Sequence, residues 1–312
     1  MGKALREVYG EALAKYGKDD ERIVALDADL SGSTKSAIFG KACPERFLNV
    51  GIAESNMVGM AAGLASVGKI PFVNTFTVFL TTLGLCAARA FGSYSQLPIK
   101  FAGAYGGMSD AFDGPSHHAL EDIAVMRSLA NMQVFVPCDA VQTEWLVKYA
   151  IDTPKPIYLR LSRDKFKDLY TSETEFAPGK GIVVREGTDI TVIACGLMVG
   201  NAIDAAEELA KEGISVRVVD MFSIKPIDEA LIVRCAEETG AIVSAEEHNI
   251  YGGLGSAVAE VLAWGGAAAP TEFVGIPDTF TETGKYTELL AKYGVDAAGV
   301  VRGIERVLAR KH

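Results

Sequence analysis

The chain has 312 residues, 49% hydrophobic and 22% charged, an ordinary globular composition that excludes a disordered polypeptide and leads us to expect two domains. Thirty basic against forty acidic side chains give a net charge of −10, which excludes a general nucleic-acid binder but not an anionic substrate gripped by a few gathered arginines. Five scattered cysteines (Cys43, Cys86, Cys138, Cys195, Cys235) form no C-x-x-C pair, and no apolar run has the length of a targeting segment or membrane span, so a soluble cytoplasmic protein with free thiols is expected.

Short β-branched runs alternate with stretches of helical period along the chain. A first series predicts strands at Ile23–Leu26, Phe47–Val50, Pro71–Asn74, Ile99–Ala102, Gln133–Val136 and Ile157–Leu161. Helical patterns at Ser55–Val67, Leu80–Tyr94 and Val141–Ile151 lie between them. The segment Asp164–Gly181 is polar, aperiodic and contains Pro178. A second series follows, with strands near Ile190–Ala194, Ser215–Val219, Ala241–Ala245 and Glu272–Val274 and helices at Asn201–Lys211, Asp228–Glu238, Gly255–Leu262 and Asp296–Leu308. Such alternation predicts an α/β protein of two doubly wound domains, each a parallel sheet with helices on both faces. The expected boundaries are 1–165 and 181–312, joined by a linker at 166–180.

Three near-motifs fail on their chemistry. Gly63 to Lys69 approaches a P-loop, but Ile70 lacks the metal-binding hydroxyl and the glycines end a helix. Asp27-Ala28-Asp29-Leu30-Ser31-Gly32 opens like a calcium loop whose last ligand position is Ile38 instead of a carboxylate. Gly252-Gly253-Leu254-Gly255 reads as a tight strand-to-helix turn, not a dinucleotide fingerprint.

Three other segments carry chemistry. In Asn49-Val50-Gly51-Ile52-Ala53-Glu54-Ser55-Asn56 a glycine closes a strand, and a single carboxylate opens an Ala/Gly/Met-rich helix. Glu54 is either a first-turn residue favoured by the helix dipole or a proton-relay group of the kind a lone carboxylate in an apolar setting supplies. Thr75-Phe76-Thr77-Val78-Phe79 follows a strand and places two aromatics three apart, either as core filling or as a platform for a flat heterocycle. Asp113-Gly114-Pro115-Ser116-His117-His118 lies in a glycine-rich loop after a strand, with Glu121-Asp122 opening the next helix. Open α/β sheets place ligands at such loops, although Asp-Gly-Pro is also plain turn chemistry. Adjacent histidines do not face one site, so no metal is expected on this chain alone.

At these segments the chain resembles the transketolase family of thiamine-diphosphate enzymes. The matches are Gly51-Ile52-Ala53-Glu54, then Thr75-Phe76-x-x-Phe79, then Asp113-Gly114-Pro115-Ser116-His117, in that order. Leu161-Ser162-Arg163 agrees too, as does Val243-Ser244-Ala245-Glu246-Glu247-His248 with the Gly-Gly-Leu-Gly run, so the resemblance covers essentially the whole chain. It implies a pyrimidine-binding domain followed by the family's C-terminal domain. Glu54 would then be the catalytic glutamate on the cofactor's aminopyrimidine, favouring the imino tautomer that takes the thiazolium proton. The resemblance places Phe76, Phe79, Thr82 and Asp29 at the cofactor as well. It makes Asp113 and His117 the groups that hold the donor ketose during cleavage, His117 as a catalytic residue. Arg6, Ser33 and Arg163 occupy substrate-phosphate positions, where guanidinium groups donate a planar pair of hydrogen bonds. Tyr105 stands at a substrate position where transketolases usually carry a histidine, and Thr82 where they often carry a third aromatic.

The Gly-Asp-Gly segment and downstream Asn with which the family binds metal and diphosphate are missing from the sequence. The resemblance therefore implies the C-terminal subunit of a split transketolase, moving a two-carbon ketol unit from a ketose phosphate such as xylulose 5-phosphate to an aldose phosphate. Thiamine diphosphate is the expected cofactor, its pyrimidine end bound by this chain. Mg2+ or Ca2+ is expected on the partner, an N-terminal subunit carrying Gly-Asp-Gly, in an α2β2 assembly. The alternatives are the beta subunit of a 2-oxo-acid dehydrogenase decarboxylase, a deoxyxylulose-phosphate-synthase-like enzyme, and a silent scaffold or ligand-binding module. Glu246, Glu247 and His248 close a strand end and read as interface or structural groups before catalytic ones.

Overall fold

The computed structural model describes residues 2–311. Its strands are β1 (Ile23–Asp27), β2 (Phe47–Asn49), β3 (Ile70–Phe76), β4 (Lys100–Ala104), β5 (Gln133–Phe135), β6 (Ile157–Leu161), β7 (Ile182–Arg185), β8 (Ile190–Ala194), β9 (Val216–Asp220), β10 (Ser223–Lys225), β11 (Ile242–Asn249) and β12 (Thr271–Ile276). The helices of the first half are α1 (Leu5–Asp19), α2 (Ser31–Thr34), α3 (Ser36–Ala42), α4 (Glu54–Ser66), α5 (Thr77–Thr82), α6 (Leu85–Ala87), α7 (Asp122–Ser128) and α8 (Ala140–Asp152). Those of the second half are α9 (Leu197–Ala210), α10 (Glu229–Thr239), α11 (Leu254–Gly265), α12 (Tyr286–Tyr293) and α13 (Ala297–Leu308). No described helix is long and apolar enough to cross a membrane.

Two sheets result, one of seven strands in the order β10-β5-β6-β4-β3-β1-β2 and one of five in the order β12-β11-β8-β9-β7. Their interiors are parallel and buried on both faces, which is why β1, β3, β4, β6 and β8 read as nearly continuous apolar runs. The alternation predicts parallel sheets, but each sheet has one antiparallel edge strand, β10 against β5 and β7 against β9. Those two short strands have no crossover helix to announce them. β10 also comes from the second half of the chain yet completes the sheet of the first. One core cluster accordingly runs from Met57 and Val58 on α4 through Met126 to Ile193, Val219 and Ile232.

The predicted continuous helix over 80–94 is broken. Thr81 and Thr82 turn their hydroxyls onto the carbonyls of Thr77 and Val78, which competes with the helical ladder. The amide of Gly84 reaches back to the Phe79 carbonyl at 3.0 Å, and the chain continues as a π-helical turn over Ala88–Tyr94. No element was expected before Ile23, because Gly10 and Gly17 interrupt the helical pattern of α1. A Cβ at Gly10 would stand 2.5 Å from the Lys35 carbonyl oxygen and one at Gly17 2.4 Å from Phe39, so close packing on α3 requires both. Asp228 and Asp296 accept from the Leu231 and Gly299 amides, so those predicted helices start one residue later than their caps.

The segment 164–181 holds no helix and no strand beyond a single bridge, but it is fastened down. Its Leu169 and Tyr170 amides donate to the Asp139 carboxylate at 3.1 and 2.8 Å, and Phe176 packs edge-on against Tyr170 and Phe222.

Candidate active site

The parallel strands of the first sheet end together, and the loops after β1, β3, β4 and β6 converge there, where open α/β sheets bind ligands. Fully buried Asp27 closes β1 and shapes the first loop. It accepts from the Leu30 amide at 2.6 Å and from the Thr34 and Ser36 hydroxyls at 2.8 Å each. Asp29 next to it is exposed, lies in the left-handed region at φ 66°, and accepts from the Asn49 amide group at 2.9 Å.

Glu54 is the first residue of α4, at the positive end of the helix dipole, and is 4% exposed. Among the described residues its one hydrogen bond is from the Thr75 hydroxyl, long at 3.4 Å. Thr75 precedes Phe76, the last residue of β3, whose ring lies 5.9 Å from that of Phe79 and 22° from parallel. The His117 imidazole meets both rings edge-on, at 6.1 Å from Phe76 and 5.3 Å from Phe79. Its Nδ1 lies 3.0 Å from the Ser116 hydroxyl. Thr82 is exposed on α5, its hydroxyl bonded to the Val78 carbonyl of its own helix.

Tyr105 is the pivot of the anion side. It is buried and held at φ 62°, a region that costs a non-glycine residue on the order of 1 kcal/mol or more. Its ring packs 4.3 Å from Phe76 and lies beneath two guanidinium groups, Arg6 at 5.0 Å and Arg163 at 5.5 Å. Arg6 donates to the Tyr105 hydroxyl at 2.5 Å and to the backbone carbonyl of Ser33 at 2.9 Å, so Ser33 enters through its main chain. Arg163 donates to Asp110 at 3.1 Å.

Asp110 was not singled out from sequence, although an acid three residues before Asp113 in a glycine-rich loop was a visible signal. It is buried, its Oδ2 has no partner among the described residues, and burial together with the neighbouring Asp113 carboxylate pushes its pKa up to about 6. Asp113 itself is exposed at the mouth. Thus Arg6, Ser33, Tyr105, Arg163, Phe76, Phe79 and His117 belong to one cluster of contacts, with cations and aromatic faces meeting at Tyr105, and Asp113 acts on it through the Asp110 that Arg163 holds. Among the described residues no hydrogen bond joins Asp29 or Thr82 to that group.

Two further buried carboxyls titrate high, Asp220 at about 6 and Glu247 at about 7, both mainly through burial. Between pH 5 and 7 the native state keeps protons on these three acids that the unfolded chain releases, so stability falls as pH rises through that window. At about 1.4 kcal/mol per pKa unit, the expected loss from pH 5 to 7.5 is on the order of 3 kcal/mol or more. Lys100, buried and lowered to about 7, acts in the opposite sense and only above pH 7. Urea midpoints at the two pH values check this; equal midpoints contradict it.

Residues 1–168 match the family described as transketolase, pyrimidine binding domain, and residues 179–300 that described as transketolase, C-terminal domain. A 6-deoxy-6-sulfo-D-fructose transketolase subunit of Clostridium sp. is 39% identical over 308 residues, covering 99% of this chain and 95% of that one. Transketolase of Rattus norvegicus is 38% identical over 98% of this chain, which spans 49% of the rat protein. A solved structure described as a split gene transketolase, inactive beta4 tetramer, superposes with a TM-score of 0.91 at 48% identity, each chain covered completely.

Proposed function

The chain belongs to the transketolase family, and from that membership we propose that it is the C-terminal subunit of a split transketolase, transferring a two-carbon ketol unit from a ketose phosphate to an aldose phosphate. The observation that carries this reading is the contact cluster at Tyr105. Two guanidinium groups flank its ring at 5.0 and 5.5 Å, a terminal-anion site, one ring contact from Phe76 and two from His117.

The residues present fit thiamine diphosphate at its pyrimidine end. Phe76 and Phe79 offer nearly parallel flat faces, and Glu54 has acceptor capacity that one long hydrogen bond leaves unused. When bound, that cofactor supplies the carbon nucleophile and electron sink that carbon–carbon cleavage needs. Glu54 would hold a proton at a ring nitrogen of the bound cofactor. His117 and Asp113 orient the donor's oxygens, Arg6 and Arg163 grip its phosphate, and Tyr105 keeps the two guanidinium groups apart. Xylulose 5-phosphate is the donor we assign.

A separate diphosphate-binding subunit supports turnover, in an α2β2 assembly, and holds the Mg2+ or Ca2+. Support comes from the chain's match to about half of a full-length transketolase and from apolar side chains left open just before α4, on α4 and after α5. Ile52 is 83% exposed, Leu83 58% and Met60 38%. Cys43, Cys86, Cys138, Cys195 and Cys235 are all unpaired, which supports the cytoplasm as its compartment.

The test is a coupled assay of the native complex with xylulose 5-phosphate and an aldose phosphate. Aldehyde product and lengthened ketose in equal amounts are expected. Release of carbon dioxide from a 2-oxo acid with no ketol transfer contradicts the reading. Arg6→Ala and Arg163→Ala each raise KM for the donor about 10- to 100-fold, as loss of a charged hydrogen bond does, with kcat little changed. An unchanged KM in both variants removes the arginines from the phosphate site.

A further inference from the structure

The loop that carries Asp110, Asp113 and His117 begins and ends at one place. Gly107 and Ala119 exchange backbone hydrogen bonds at 3.1 and 3.0 Å, closing residues 107–119 into a loop with a narrow base. Within it the backbone makes tight turns, the His117 and His118 amides both donating to the Gly114 carbonyl. On the side of its own sheet the loop is held by Arg163, whose amide donates to the Ser109 hydroxyl at 3.3 Å and whose guanidinium donates to Asp110 at 3.1 Å, and by Arg160, which donates to the Ala119 carbonyl at 3.3 Å.

Further anchors come from the second half of the chain. The Glu247 carboxylate, at the end of β11, accepts from the Met108 amide at 2.7 Å. Its other oxygen accepts from the Tyr286 hydroxyl at 2.9 Å, so the acid is held from behind. Buried His118 meets the Thr281 hydroxyl at 2.6 Å, the Gly284 amide donates to the Ala111 carbonyl at 3.1 Å, and the Asn249 amide donates to the Leu120 carbonyl at 2.8 Å. Gly107 takes φ 68°, and a Cβ there would lie 2.3 Å from the Glu247 carboxyl carbon, so the two chains touch with no space between them. Arg160 closes the junction by donating to the Glu247 carbonyl at 2.9 Å.

Glu246 and His248, the neighbours of Glu247, do different work. Glu246 accepts from the Leu254 and Gly255 amides at 2.7 and 2.8 Å and caps α11. The His248 Nε2 lies 3.4 Å from the Ala124 amide and its Nδ1 2.7 Å from the Asn249 carbonyl. Glu247 alone of the three reaches the loop that holds the cleft's acids and imidazole.

We propose that the C-terminal domain is a clamp on the substrate-reading loop, and that Glu247 is a positioning residue for the donor. By fixing the Met108 amide it sets the backbone two residues before Asp110, and through that loop the placement of Asp113 and His117. Thr281 performs the same task at the loop's far end through His118. The proposal rests on the reading of Asp113 and His117 as donor contacts.

Hydrogen exchange read by mass spectrometry on the full chain, paired with kinetics of the native complex, tests it. Glu247→Ala raises exchange in peptides spanning 106–119 about tenfold or more, the scale of a lost bond to a buried carboxylate, and leaves the rest of both sheets unchanged. Glu247→Gln, which keeps an oxygen for the Met108 amide, restores most of that protection. Thr281→Val loosens the same peptides from the other end and serves should the alanine variant not fold. In the complex, Glu247→Ala raises KM for the donor about tenfold while half-saturation by thiamine diphosphate and kcat stay near the wild-type values. Unchanged loop exchange overturns the clamp, as does a uniform rise across both domains or a glutamine variant as loose as alanine. A loosened loop with an unchanged donor KM overturns the positioning role. If the wild-type complex transfers no ketol unit, the functional reading fails by itself, and the exchange data still decide whether the clamp exists.

Discussion

Glu54→Gln is expected to lower turnover of the assembled enzyme by about 10²- to 10⁴-fold, the range that proton-transfer groups contribute. The substitution conserves shape. A glutamine keeps an oxygen for the Thr75 hydroxyl, whose bond to Glu54 is 3.4 Å long, and it keeps the packing of a side chain that is 4% exposed. It loses the ability to give and take a proton, and it loses the favourable charge at the start of α4. The effect should therefore fall on kcat, with circular dichroism, urea midpoint and association with the partner close to wild type. A variant turning over within about threefold of wild type, measured under saturating cofactor and partner, would remove Glu54 from the proton path.

Asp122→Ala is expected to destabilise the chain by about 3–5 kcal/mol, the cost of stripping one partner from a buried ion pair. Asp122 lies wholly out of solvent and accepts from Arg160 through Nε at 2.7 Å and Nη2 at 3.1 Å, and from the Tyr158 hydroxyl at 2.7 Å. Arg160 is held further by the Ala119 carbonyl at 3.3 Å and the Glu247 carbonyl at 2.9 Å. Removing the carboxylate leaves a guanidinium in the interior with only carbonyl oxygens for company. In the wild type burial disfavours the Arg160 charge, and the Asp122 carboxylate outweighs that cost and holds the guanidinium above its ordinary range. The double variant Asp122→Leu with Arg160→Met should recover part of the loss, because it removes the charge as well as its partner. Urea unfolding of the three proteins measures this, and a single variant within about 1 kcal/mol of wild type would contradict the account.

Much of the architecture was legible because buried parallel strands announce themselves. Ile157–Leu161 was read to the residue as β6, and Ile23–Leu26 fell one short of β1. What escaped was structure whose stability comes from distant partners. β10 is three residues long and exists by pairing with β5, some ninety positions earlier in the chain. α1 is broken in pattern by the glycines that let it approach α3. The antiparallel edges followed from these same short strands, and no rule of alternation would have supplied them.

The cleft divides similarly. Glu54, Phe76, Phe79, Asp113 and His117 stand in local motifs, and the sequence sufficed to single them out. That Tyr105 lies beneath both Arg6 and Arg163 could not be read, because the three come from α1, the end of β4 and the end of β6. Glu247 was noticed as an acid at a strand end, but its destination, the Met108 amide, is 139 residues away. Thr82 and Asp29 came in through the resemblance alone, and the hydrogen bonds they make are to Val78 and Asn49.

The measurement that bears most directly on the half-site account is a calorimetric titration of thiamine diphosphate, with magnesium, into this chain alone, into the diphosphate-binding subunit alone, and into the two combined. The account predicts stoichiometric, tight binding in the combined sample and none of comparable strength in this chain alone, because Glu54 and the Phe76–Phe79 faces grip only one end of the cofactor. Tight binding by this chain without the second subunit would contradict it.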